Sequence, residues 1–170
     1  MEEILARASK VAQEAEVFMV SSDEMPVEFE TNRLKHIQSK QNSTVALRII
    51  KNGRIGYATS TRVDDIEELV DNAVATAEFG TEARFTLPSQ TPYPKIEVFD
   101  PDIEKVTLEQ MAEFGQGMID TLTRHTPEII CEAGVIRIIT NVSILNSRGG
   151  RASYKPVSYT HLTLPTILLV

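Results

Sequence analysis

The sequence is poor in cysteine and in positive charge, and it has no long hydrophobic run. One cysteine, Cys131, excludes an intramolecular disulfide. It follows Ile129-Ile130, an apolar setting in which a thiol stays protonated and unreactive, so a small buried hydrophobe is expected there rather than a nucleophile. Lys and Arg number 17 against 24 Asp and Glu, a formal net charge of -7. Neutralising phosphates takes clustered cations, so nucleic acid is not the expected partner. No apolar stretch approaches the roughly 20 residues that span a bilayer. The start, Met1-Glu2-Glu3-Ile4-Leu5, lacks the basic and apolar regions of a secretory signal. These absences predict a cytoplasmic protein with no membrane partner.

What is present is ordinary globular material: 170 residues, 42% hydrophobic and 24% charged, enough for one domain with its own core. Ile4, Leu5, Ala8, Val11, Ala12 and Ala15 recur at helical spacing, predicting an opening amphipathic helix. Val17–Val20 reads as a short strand. Met25–Glu30 alternates, with Val27 and Phe29 on one face. Asn32-Arg33 reads as a turn, and Leu34–Lys40 as a weaker strand. From Thr44 to Thr61 the pattern is a hairpin. Val45, Leu47 and Ile49 share a face, Asn52-Gly53 is a type I′ turn signal, and Ile55, Tyr57 and Thr59 alternate on the return. Gly56 marks a close backbone approach or a bulge.

A helix is expected over 64–79, with Ile66, Leu69, Val70, Ala73, Val74 and Ala77 as its apolar stripe, acidic residues at its start and Gly80 as its C′ residue. Residues 81–106, with four prolines, read as an extended connection rather than a domain linker. Thr107 and Gln110 make a capping-box pattern for a third helix whose core face is Met111, Phe114, Met118, Ile119 and Leu122. Gly115 and Gly117 weaken that helix by about 1 kcal/mol each, and Pro127 stops it. Strands follow over 129–133 and 135–145, then a turn at Asn146–Gly150 and another strand from Ala152. Hairpin-linked strands with interspersed helices predict an α+β fold, an antiparallel or mixed sheet with helices packed on one face.

The end of the chain departs from the rest. Every Lys, Arg, Asp and Glu lies at or before Lys155. The reverse complement of a common transposase-type library adapter, read in one frame, translates to Val-Ser-Tyr-Thr-His-Leu-Thr-Leu-Pro-Thr, identical to Val157–Thr166. An index followed by the resumed fixed sequence accounts for Ile167–Val170 and a stop. Residues 156–170 are therefore expected to be an adapter-derived tail, with Pro156 ambiguous, and 1–155 a domain truncated at its C-terminal end, its gene continuing beyond codon 155.

No reacting constellation emerges from residues 1–155. His36 and His125 have no second histidine at helical spacing, and His161 lies in the tail, so a zinc site is not expected here. There is no Gly-x-Ser-x-Gly elbow. Ser21, Ser22 and Ser60 have turn and strand explanations. Asp64-Asp65 and Glu67-Glu68 suit a helix N-terminus, and neighbours in sequence do not face each other on a helix. Gly115-x-Gly117 has Asp120 at the third glycine position and no preceding strand, so it is not a dinucleotide loop. Arg148-Gly149-Gly150-Arg151 reads as a hairpin turn. No catalytic, cofactor-binding or metal-ligating residue is assigned.

The segment Ala15-Glu16-Val17, the hairpin Val45–Ser60, the helix Ile66–Ala77 and the turn Val142–Gly149 resemble, in order and spacing, the N-terminal domain of the TldD/PmbA (TldE) family. The resemblance runs through essentially all of 1–155. It implies a cytoplasmic subunit of a zinc metallopeptidase acting on peptides and on unfolded or modified polypeptides. It also implies a homo- or heterodimer of TldD- and PmbA-like subunits. The zinc is implied to sit on a His-Glu-x-x-x-His helix of the TldD-like subunit, beyond the region present. A PmbA-like subunit lacks that helix and completes the substrate chamber. Gly56-Tyr57-Ala58-Thr59-Ser60 and the Asn146-Ser147-Arg148-Gly149 turn lean towards the PmbA-like side. An unrelated α+β binding domain is the remaining alternative.

Overall fold

The computed structural model describes residues 1–92, 94, 96–156, 159–163 and 166–167, the last two runs by their backbone alone. The elements in order are α1 (Glu2–Ala8), β1 (Glu14–Glu30), β2 (Arg33–Ile37), β3 (Lys40–Lys51), β4 (Arg54–Ser60) and α2 (Ile66–Ala77). A 3-10 turn (Pro101–Lys105) leads to α3 (Leu108–His125), β5 (Ile130–Cys131), β6 (Ala133–Asn146), β7 (Arg151–Tyr154), β8 (Tyr159–Thr163) and β9 (Thr166–Ile167). The α+β class expected from the pattern is what forms, with antiparallel pairing throughout the resolved ladders. Two compact units make it up: residues 1–21, 42–97 and 141–155, and residues 22–41, 98–140 and the described part of 156–170. The boundary at Glu97 and Val98 falls inside the proline-rich stretch.

In the first unit the strands follow the order β4-β3-β1-β6-β7. Val17, Val45, Leu47 and Ile49 are wholly buried with Ile4, Ala8, Leu69, Val70, Ala73 and Ala77, so α1 and α2 cover the face the alternation marked. A fully buried aliphatic side chain of this kind contributes roughly 1.5–3 kcal/mol. The β3–β4 turn has φ of 51° at Asn52 and 73° at Gly53, the positive pair a type I′ turn requires. Asp65 caps α2 by accepting from the Glu68 amide at 3.3 Å.

Three expectations need correction here. The opening helix ends at Ala8, not near Ala15. The amides of Lys10 and Val11 bond three residues back, and Gln13 donates to the Ile50 carbonyl at 2.9 Å, drawing the chain into the sheet. Val17–Val20 and Met25–Glu30 are one strand, because Pro26 sits where it can still accept from the Gln38 amide without owing a donor. Gly80 is not a left-handed cap. A β-carbon there would stand 1.9 Å from the Ile55 carbonyl oxygen, so its small size is what the fold uses. Gly56 shows the close approach the sequence suggested: a β-carbon would stand 2.1 Å from the Ala73 carbonyl oxygen. Leu87 is buried, and its amide donates to Glu14 at 2.7 Å, so the first part of the proline-rich stretch is bound to this unit.

In the second unit β2 pairs with β1 and β8 with β6. The core is Val27, Phe29, Met111, Ile119, Cys131, Ala133 and Val135. Cys131 is buried there as a small hydrophobe. The capping box of α3 is complete: Thr107 Oγ1 accepts from the Gln110 amide, and Gln110 Oε1 accepts from the Thr107 amide. Phe114, expected on the core face, is 55% exposed, and Gly115 takes the buried place. Tyr159–Thr163 and Thr166–Ile167, set aside as tail, pair with β6 and β5. A β-branched and aromatic run such as Tyr159–Thr163 satisfies its backbone by pairing with an open edge, whatever its origin. The rest of the tail lies outside the described residues.

Candidate functional site

Among the described residues, an open groove of about 420 Å³ in the second unit is rich in ionisable side chains. It is built by the β1–β2 hairpin. Thr31 and Asn32 both have positive φ, 52° and 63°, which closes the turn tightly. That geometry frees the Asn32 side chain to act as a clamp. Its Nδ2 donates to the Ile129 carbonyl and its Oδ1 accepts from the Cys131 amide, each at 2.7 Å. The Asn32 amide itself donates to the Cys131 carbonyl at 3.2 Å. The clamp brings Glu132 alongside Glu28 and Glu30, whose alternation turns them away from Val27 and Phe29. His36 stands opposite Glu28 in the ladder, and Lys35 pairs with Glu30.

The groove therefore offers three carboxylates, one ammonium and one imidazole. No hydroxyl or thiol nucleophile lines it. Among the described residues no three His, Cys, Asp or Glu side chains come together as metal ligands. The arrangement can hold charged or extended polar groups by ion pairing.

The other residues singled out by sequence sit apart from this groove. His125 ends α3, its Nδ1 3.2 Å from Thr126 Oγ1. Ser22 donates to Glu24 at 3.1 Å, and Ser60 bonds the Arg62 backbone. Glu67 pairs with Arg7 and Glu68 with Arg62. Gly117 is mid-helix with open space around it. Asn146 organises the turn after β6: its Oδ1 accepts from the amides of Arg148 and Gly150, both at 2.9 Å, and its Nδ2 donates to the Pro88 carbonyl. Arg148 pairs with Glu14 and Arg151 with Glu2. His161 belongs to the run described by backbone alone.

Two arginine pairs were not found by motif. Arg137 is 9% exposed and donates to Asp23 and to the Val106 carbonyl, both at 3.2 Å, leaving its Nε without a partner. Arg48 donates to Glu16 at 2.6 Å, stands 5.2 Å from the Phe85 ring centroid, and also has an unpartnered Nε. The available signal was an arginine inside an apolar strand, Val45–Ile50 and Val135–Ile139, because a buried cation demands a partner. Glu109, at the start of α3, has its carboxyl held below its ordinary value by its own amide and then by the Thr107 hydroxyl.

Residues 15–77 match the family model described as PmbA/TldA metallopeptidase domain 1. No curated protein matches it. Among solved structures, a candidate modulator of a DNA gyrase from Thermotoga maritima is similar at 13% identity and TM-score 0.76, over 92% of this chain and 37% of that one. TldE from Thermococcus kodakarensis is similar at 14% identity and TM-score 0.75, over 98% of this chain and 41% of that one. A candidate modulator of DNA gyrase from Bacteroides thetaiotaomicron is similar at 16% identity and TM-score 0.76, over 91% and 37%. At these identities the likeness is one of fold. The chain spans about two fifths of the length of the structures it matches.

Proposed function

We propose that a chain with this PmbA/TldD-type first domain is the N-terminal part of one subunit of a zinc metallopeptidase. That enzyme would act in the cytoplasm on peptides or on unfolded or modified polypeptides, as a dimer with a homologous TldD- or PmbA-like subunit. The observation that carries this reading is the family match over 15–77, supported by a fold likeness that extends over more than nine tenths of the chain. No helix among the described residues is long and apolar enough to cross a membrane. The described residues do not fit a zinc ion, since no three potential ligands converge. No step of peptide hydrolysis is therefore assigned to this chain, and its role in the parent is architectural.

A second reading is favoured by two specific features. The fold likeness includes a TldE, and the Gly56–Ser60 strand and Asn146–Gly149 turn lean to the PmbA-like pattern. On that reading the parent is the non-catalytic subunit that shapes the substrate chamber.

One experiment tests both. The source gene is sequenced across codon 155 from an independently prepared library. An in-frame continuation containing His-Glu-x-x-x-His supports the catalytic subunit, and a family-like continuation without it supports the partner. A gene that encodes residues 157–170 and stops would refute both the adapter reading and the proposed subunit. The purified chain is expected to hold less than one equivalent of zinc and to cleave no unfolded protein. Stoichiometric zinc or peptidase activity would overturn its architectural role.

A further inference from the structure

Among the described residues β2 pairs with β1 alone. All five of its residues are exposed. The Gln38 amide donates to the Pro26 carbonyl at 3.1 Å, which makes that couple a hydrogen-bonded rung. By the alternation of an antiparallel ladder, Ile37 then points its own amide and carbonyl away from β1. Such an edge is a template for another strand unless something blocks it. The first unit shows how this protein blocks one: Thr76 Oγ1 accepts from the Tyr57 amide at 2.9 Å and donates to the Tyr57 carbonyl at 2.8 Å, sealing β4 with α2. Nothing comparable covers β2 among the described residues.

Two further observations say what the open edge suits. Leu34 and Ile37 are 45% and 44% exposed. They stand opposite Phe29 and Val27, so they share the face that packs on the second unit's core. Charge is equally uneven. From Thr31 to Val63 there is no Asp or Glu, although the chain as a whole carries -7. On and beside β2 lie Arg33, Lys35, His36 and Lys40; Lys35 pairs with Glu30, and in the ladder with β1 Arg33 stands opposite Glu30 and His36 opposite Glu28.

We propose that the free edge of β2 binds an extended polypeptide whose side chains alternate between apolar and acidic, added as one more strand. Main-chain bonds at Ile37 supply affinity. The apolar side chains cover Leu34 and Ile37, and the acidic ones meet Arg33, Lys35 and His36. A second copy of β2 is not the occupant, because that strand carries no acid to meet these cations. The proposal rests on the edge and its charge, and it stands or falls independently of whether the parent is a peptidase.

The test is fluorescence anisotropy with a labelled peptide of about eight residues alternating Val and Glu, and its Val/Lys counterpart, titrated with the full chain. The acidic peptide should bind and the basic one should bind at least about tenfold more weakly, with affinity falling as salt rises. Arg33→Gln with Lys35→Gln should weaken the acidic peptide several-fold and flatten the salt dependence. Ile37→Pro, which removes an outward amide that β1 does not use, should weaken it about tenfold or more. Should Ile37→Pro lower the melting temperature into the working range, amide exchange at Ile37 in the unmodified chain replaces it, and the acidic peptide should slow that exchange. Equal binding of both peptides, no binding, or no effect at Ile37 would overturn the proposal.

Discussion

The ring of Phe29 lies directly against Gly115 of α3: a β-carbon built on Gly115 would stand 2.2 Å from Cε2 of that ring. Phe29 is 3% exposed and enclosed by Met111, Ile119, Cys131 and Val135, so the ring has nowhere to swing. A residue that looks like a helix defect is thus the socket for a core aromatic.

Gly115→Ala should therefore destabilise the protein by roughly 1–3 kcal/mol, overpacking outweighing the gain in helix propensity. Gly117, two residues on, has nothing within 4 Å of a β-carbon, so Gly117→Ala should stabilise by up to about 1 kcal/mol. Urea denaturation of the two variants checks the opposite signs. Equal shifts would mean the Phe29 contact does not matter.

Gly56→Ala should be worse than Gly115→Ala. The obstacle there is backbone, the Ala73 carbonyl oxygen at 2.1 Å, so α2 as a whole must move off β4. A loss above about 2 kcal/mol is expected, read from the same denaturation curves.

Asp23→Ala should cost more than Arg137→Met. Removing the carboxylate strands a buried guanidinium whose Nε already lacks a partner, whereas Met fills the space without a charge. Asp23 is 37% exposed at its side chain, so water softens the loss to roughly 1–3 kcal/mol. Thermal melts of the two variants decide the order.

Glu109 should titrate below the ordinary glutamate range, chiefly because its own amide and then the Thr107 hydroxyl favour the carboxylate. A depressed folded-state value means the contribution is present above the unfolded value and is lost as pH falls through the folded one. Side-chain NMR titration should show Thr107→Ala moving the Glu109 midpoint upward. The same substitution should weaken α3 by about 1 kcal/mol through loss of its cap.

Sequence by itself determined the parts governed by near neighbours. Period-two alternation placed Val45, Leu47 and Ile49 in the core, Asn52-Gly53 set the hairpin, and the 3.6-residue stripe of α2 and the Thr107–Gln110 box set two helices, because each signal is read within a few residues. Tertiary structure decided what depends on distant partners. It ended α1 early through Gln13 and Ile50, exchanged Phe114 for Gly115 on the core face, and gave Arg48 and Arg137 their acids. It also made the candidate groove, since Glu132 reaches Glu28 through Asn32, and no local pattern records bonds between residues 97 and 99 positions apart in the chain. Local propensity is additive along the chain, but side-chain juxtaposition is set by packing, and packing is known only once the whole chain has closed on itself.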